Sequence, residues 1–199
     1  MKSLKSIACS LAPGLALAAL MASPSHGAAE GLAPLVDDFS HAKLNSAGVA
    51  RQFLNDSMAG GRTSMTPEVS DGVLSVSGEI APPRGQPGWA SSVLILDPEG
   101  VPQDASQFEG VRLRIKINKG MLSVSANSMD VTNFDYHAAP IAAKADGEFH
   151  EVKIPFKSMK RTWSEQTALN TTNIQSLSIV AFDVQNGAYD FELDEVSFY

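Results

Sequence analysis

Cysteine is all but missing. The chain of 199 residues has one, Cys9, and it lies in a leader-like stretch at the start. Beyond the leader there is no thiol, which excludes disulfides, cysteine nucleophiles and thiolate metal sites. Such a domain is held together by its core alone, and about 170 residues suffice for one core. Histidine is sparse too. His41, His137 and His150 stand far apart, with no His-x-His pair and no His-Glu-x-x-His, so a zinc or iron centre lacks its usual ligand spacing. No Gly-x-Ser-x-Gly elbow marks a serine hydrolase, and there is no internal repeat, low-complexity tract or amphipathic helix of normal length. Positive charge is in deficit as well: the net charge is −7, and loss of Lys2 and Lys5 with the leader takes it to about −9. That balance argues against non-specific binding of nucleic acid or anionic lipid, which asks for a basic patch.

The leader itself is legible. Lys2 and Lys5 precede an apolar run, Leu11 to Ala22, broken only by Pro13 and Gly14, and small residues come next from Ser23 to Ala29. This is the order of a bacterial secretory signal peptide, with cleavage expected near Ala28. The run of roughly a dozen residues falls short of the ~20 that span a bilayer, so stable membrane insertion is not expected. No arginine occurs before Arg51, unlike a mitochondrial transit peptide. Ser6-Ile7-Ala8-Cys9 loosely resembles a lipobox, but almost no apolar segment precedes Cys9. The expectation is a signal peptide over 1–28 and a single domain over 29–199, periplasmic or secreted.

Within that domain, short alternating segments are separated by turn residues. Val111, Leu113, Ile115 and Ile117 share one parity while Arg112, Arg114 and Lys116 share the other, so period two puts the aliphatic set in the core. Leu122 to Asn127 comes directly after Lys119-Gly120, as the second arm of a hairpin would. Strands are also expected at Leu35 to Phe39, Gly72 to Ile80, Ser92 to Leu96, Phe134 to Ala143 and Glu148 to Phe156. Leu177 to Val184 is apolar on both parities, which suits the middle of a sheet. In the closing segment Tyr189, Phe191 and Leu193 share one parity and Val196 and Phe198 the other, so a β-bulge near Asp194-Glu195 is needed to bring both sets inward. Pro82 to Gly88 and Ser164 to Asn173 read as loops. The fold class is all-β, a sandwich or jelly roll.

Residues suited to ligand chemistry are few. Trp89 and Trp163 each adjoin a polar loop, where an aromatic face stacks on a sugar ring or caps the core. Asn127, Asn133, Asp135, Tyr136 and His137 form the densest run of hydrogen-bonding side chains; if their strands line a concave face, Asn127 and Tyr136 read hydroxyls. Asp190, Glu192 and Asp194 alternate on one strand face, the spacing of a solvated surface paired with Arg112, Arg114 or Lys116 more than of a glycosidase pair. The Met58 to Ser64 segment is glycine-rich but lacks the lysine of a phosphate-binding loop, and reads as a tight turn.

Five segments, in order, resemble the CIA30 family, named for the complex I intermediate-associated protein. They are Asn55 to Ser64, Gly88-Trp89-Ala90-Ser91-Ser92, Phe108 to Arg114, Phe149 to Phe156, and Phe191-Glu192-Leu193-Asp194-Glu195-Val196. The resemblance implies a galactose-binding-like jelly roll, similar also to several carbohydrate-binding modules. Related jelly rolls often carry a structural Ca²⁺ where the first and last strands meet, and Asp37, Asp38 and Asp194 supply hard oxygen ligands there. An assembly role at complex I belongs inside the matrix or cytoplasm, whereas the leader directs this chain outward. The resulting reading is an exported, non-catalytic binding or scaffolding module engaging a protein partner in the cell envelope. The alternative is a carbohydrate or small ligand bound in a concave face by Trp89, Asn127, Tyr136 and Trp163.

Overall fold

In the computed structural model, residues 31–199 are described; the signal-peptide reading of 1–28 and Cys9 lie outside them. Alternation decides the architecture. On β6 (Gly110–Lys119) the residues Val111, Leu113, Ile115 and Ile117 are at most 4% exposed. The cations between them turn outward and pair across the ladder with β12 (Gly187–Phe198): Arg112 with Glu195 at 2.6 Å, Arg114 with Asp194 at 3.0 Å, and Lys116 with Glu192 at 2.5 Å. The register of β12 on β6 shifts between Leu193 and Glu195, the bulge that its parity switch demands. Tyr189, Phe191 and Leu193 before it, and Val196 and Phe198 after it, all reach the core.

Two antiparallel sheets pack face to face as a jelly-roll sandwich. The first runs β3 (Thr66–Ser70), β4 (Val73–Ile80), β12, β6 and β9 (His150–Pro155), with β1 (Leu35–Asp37) added to β12. The second runs β10 (Lys160–Arg161), β8 (His137–Pro140), β7 (Met121–Ser128), β11 (Ile174–Asp183), β5 (Gly88–Ile95) and β2 (Gln52–Asn55). One apolar layer fills the space between, with Leu74, Leu94, Leu113, Ile115, Leu177, Ile179 and Leu193 fully buried. As its double apolar parity suggests, β11 is central, flanked by β7 and β5.

Several sequence expectations are corrected. β6 and β7 are not a hairpin: β6 pairs with β12 and β9, whereas β7 pairs with β11 and β8. The chain crosses from one sheet to the other at Gly120, whose φ is 90° and whose added Cβ would lie 2.8 Å from the Cβ of Tyr189. Both strands then face the same core from opposite sides. β1 stops at Asp37, because the Asp37 carboxylate accepts the amide of Phe39 and Phe39 turns to φ 53°. β8 begins only at His137, because Phe134 sits at φ 62° and Asp135 accepts the amide of Tyr136. β5 starts four residues earlier than Ser92, and its Val93 faces away from the core.

Candidate ligand-binding cleft

The strands of the second sheet have two faces of different character. β5 buries Ala90 and Leu94, β7 buries Leu122, Val124 and Ala126, and β11 buries Leu177, Ile179 and Ala181. Their opposite parity carries Ser91 and Val93, Ser125 and Asn127, and Ser176, Ser178 and Val180, which form the floor of a cleft of about 800 Å³. Register sets these residues in cross-strand rows: Leu54, Ser91 and Val180 in one, Val93, Ser178 and Ser125 in the next. Small side chains keep the floor low, and bulkier ones at the margins raise walls. From β2 to β8 is four inter-strand spacings, about 19 Å, enough for a short oligomeric ligand.

The floor is organised by Asn127. Its Nδ2 donates to the hydroxyls of Ser176 and Ser178, each at 2.9 Å, and its Oδ1 accepts from Ser125 Oγ at 3.4 Å. Ser176 and Ser178, having accepted, keep their own O–H protons for a ligand acceptor.

One wall is aromatic. Tyr136 and Trp163 meet edge to face, with ring centroids 5.3 Å apart. Trp163 is 60% exposed and Phe134 92% exposed, so neither serves the core. Exposed aromatics on left-handed or irregular backbone persist only where the surroundings fix them, and here the fixing group is Asp135. Its buried carboxylate accepts the amides of Tyr136 (2.8 Å), Thr162 (3.0 Å) and Ser164 (3.0 Å) and Nε of Arg161 (2.9 Å). Burial works against its charge, but these hydrogen bonds from Tyr136, Arg161, Ser164 and Thr162 prevail and hold the carboxyl well below the usual carboxylate range. Burial also pushes the Tyr136 phenol up, with the Asp135 charge adding to the effect.

The other margin holds Trp89, whose amide donates to the fully buried Asp56 at 3.2 Å. Asp56 also accepts the amide (3.0 Å) and hydroxyl (2.6 Å) of Thr63, closing the glycine-rich turn over it. Gly60 turns at φ 83°, and a Cβ on Gly61 would fall 2.2 Å from the Asp56 carboxyl carbon. The turn expected at Met58 to Ser64 is therefore a lid on a buried acid that seats the Trp89 strand.

The structure thus brings Trp89, Asn127, Tyr136 and Trp163 together along one cleft. Sequence reasoning missed Phe134 and Leu54 as lining residues, and the serine floor with them. The signal for the floor was present: serine recurs at every second position in Ser123-Val124-Ser125 and in Ser176-Leu177-Ser178.

The carboxylates expected to hold Ca²⁺ each have protein partners. Asp37 is buried and its oxygens accept Nε (2.6 Å) and Nη2 (2.8 Å) of Arg51 and the Phe39 amide. Asp38 closes an exposed turn with Ser40, whose side-chain and backbone hydrogen bonds lower its pKa. Asp194 pairs with Arg114 on the outer face of the first sheet. Among the described residues, no group of three potential ligand side chains is placed to hold a metal ion. Of Asp190, Glu192 and Asp194, weighed as glycosidase carboxylates, the first accepts from Asn118 at 3.1 Å and the other two are ion-paired; among the described residues no carboxylate lines the cleft.

Comparison with known proteins agrees with this architecture. The family model described as Complex I intermediate-associated protein 30 (CIA30) matches residues 39–193. No curated protein sequence matches the chain. Among solved structures, it is similar to the family 11 carbohydrate-binding module of the cellulosomal cellulase Lic26A-Cel5E of Clostridium thermocellum. The TM-score is 0.58 at 19% identity, covering 82% of this chain and 92% of that one. It is similar to the family 11 module from the same organism in complex with a β-1,3-1,4-mixed-linked tetrasaccharide, with TM-score 0.57, 19% identity, and coverage of 83% and 94%. The agarase AgWH50C also matches, with TM-score 0.54 and 12% identity over 84% of this chain but only 24% of that enzyme. At these identities the likeness speaks for the fold.

Proposed function

The chain belongs to the CIA30 family, and from that premise we propose that it is a non-catalytic binding module whose cleft takes up a carbohydrate. The observation that carries this reading is the meeting of exposed aromatic rings with a hydroxyl and amide floor in one cleft. A sugar ring has an apolar C–H face and a rim of hydroxyls; the first stacks on Trp163, Tyr136, Phe134 or Trp89, and the second exchanges hydrogen bonds with Ser176, Ser178 and Asn127. The tetrasaccharide held by a module of the same fold supports the choice of ligand. Among the described residues no carboxylate lines the cleft, which supports binding without hydrolysis, since glycoside cleavage uses a pair of them. The leader-like 1–28 supports export to the periplasm or beyond. No described helix is long and apolar enough to cross a membrane.

The test is calorimetric titration of the protein with soluble oligosaccharides, alongside Trp163→Ala. Binding that weakens roughly tenfold or more in the variant, with little change in Tm, is the expected result. Silence across the panel would reject a carbohydrate. A protein partner in the envelope is then the second reading, favoured by Met58, 83% exposed outside the cleft.

A further inference from the structure

Charge narrows the ligand class, an inference that rests on the carbohydrate reading above. Of all residues in the chain, 19% are Asp, Glu, Lys or Arg, yet among the described residues none of these, and no histidine, lines the cleft. The wall's own cation is withdrawn from any ligand. Arg161 directs Nε to Asp135 at 2.9 Å, Nη2 to Asn133 at 2.8 Å and Nη1 to Thr167 at 3.4 Å. Its side chain is 9% exposed and that of Asp135 is not exposed at all, so the pair presents no free charge. Tyr136 is a neutral phenol, and the floor offers serine hydroxyls and a carboxamide, donors and acceptors without formal charge.

We infer that the cleft selects uncharged polysaccharides and rejects chains bearing uronate or sulfate groups. A carboxylate or sulfate entering between apolar rings would shed water with no cation to replace it, and that desolvation is costly. Neutral hydroxyls exchange water for Ser176, Ser178 and Asn127 at nearly even cost, so stacking sets the sign. The acidic net charge of the whole chain adds a repulsion that an anionic polymer meets before it reaches the cleft.

Native electrophoresis of the protein through gels containing a neutral polymer (mixed-linked β-glucan or agarose) or an acidic one (alginate or polygalacturonate) decides the matter. Trp163→Ala reports whether retardation passes through the cleft. The expected result is retardation by at least one neutral polymer, roughly tenfold stronger than by any acidic one, unchanged by salt and lost in Trp163→Ala. Leu54→Lys places a cation on the exposed rim and should gain a salt-sensitive retardation by acidic chains. Equal retardation of the parent protein by acidic and neutral polymers, lost in Trp163→Ala, would overturn charge selection while leaving the carbohydrate reading intact. So would failure of Leu54→Lys to gain acidic binding. Retardation by neither polymer would remove the carbohydrate reading and the selection together.

Discussion

The sandwich has two outer faces, built by the same alternation and put to opposite uses. On the first sheet the outward residues of β6 and β12 include Arg112, Arg114 and Lys116 paired with Glu195, Asp194 and Glu192. Such a face stays hydrated, because a cation and a carboxylate at its surface gain little from each other beyond what water gives. On the second sheet the outward residues are serine, valine and asparagine, low and uncharged, with aromatic rings at the margins. A face of this kind gives up water readily and accepts an amphipathic ligand. Strand geometry decides which side chains turn outward; their chemistry decides whether the face stays wet or binds.

The sharpest way to break the contrast is Asp135→Asn. It leaves Arg161 nearly buried without a counter-charge and should destabilise the domain by about 3 kcal/mol. For a domain of this size that lowers Tm by roughly 10 °C, readable by thermal denaturation. Near-ultraviolet circular dichroism should change as well, because the Tyr136–Trp163 pair loses its brace. The same carboxylate fixes the sign of the pH dependence. A carboxylate whose folded pKa is lowered contributes stability fully present above its ordinary value near ~4, and lost as pH falls toward the folded value. The aromatic wall should therefore survive mild acid in the parent protein, and a wall signal that collapsed at about pH 5 would contradict that origin. Trp163→Ala comes next in size, moving affinity and leaving Tm nearly alone. On the charged face, Arg114→Ala removes an exposed partner of Asp194 and should shift stability by less than about 1 kcal/mol with unchanged ligand binding. A larger loss of affinity there would mean that the two faces are not independent. Smallest of all, EDTA should move Tm by less than about 1 °C, since Arg51 and Arg114 already occupy the carboxylates of Asp37 and Asp194.

Much of this was readable from residues in order, and the failures have a common cause. Period two on β6 and the parity switch in β12 are local patterns, and both appear intact in the structure. The turn at Lys119-Gly120-Met121 is equally compatible with a hairpin and with a crossing between sheets, because the distinction lies in distant partners: β12 for one strand and β11 for the other. Trp89, Asn127, Tyr136 and Trp163 announced themselves by side-chain type. Serines on three strands did not, since each alternation alone looks like an ordinary solvated strand face; only the registers of β5, β11 and β7 assemble them into a floor. The partner of Asp37 was equally hidden: Arg51 is fourteen residues away in sequence and hydrogen-bonded to it in the fold.

The crossing at Gly120 has a consequence for how the cleft meets its ligand. β6 and β7 are consecutive in sequence yet anchor different sheets, so neither sheet peels away without pulling on the other. The serine floor therefore shares the stiffness of the domain's interior, whereas Phe134 and Trp163 stand on connecting segments that Asp135 ties down. In the proposed role a ligand would meet a preset floor, held by strand pairing, and a wall held by the hydrogen bonds of Asp135, so little ordering entropy would be lost on capture.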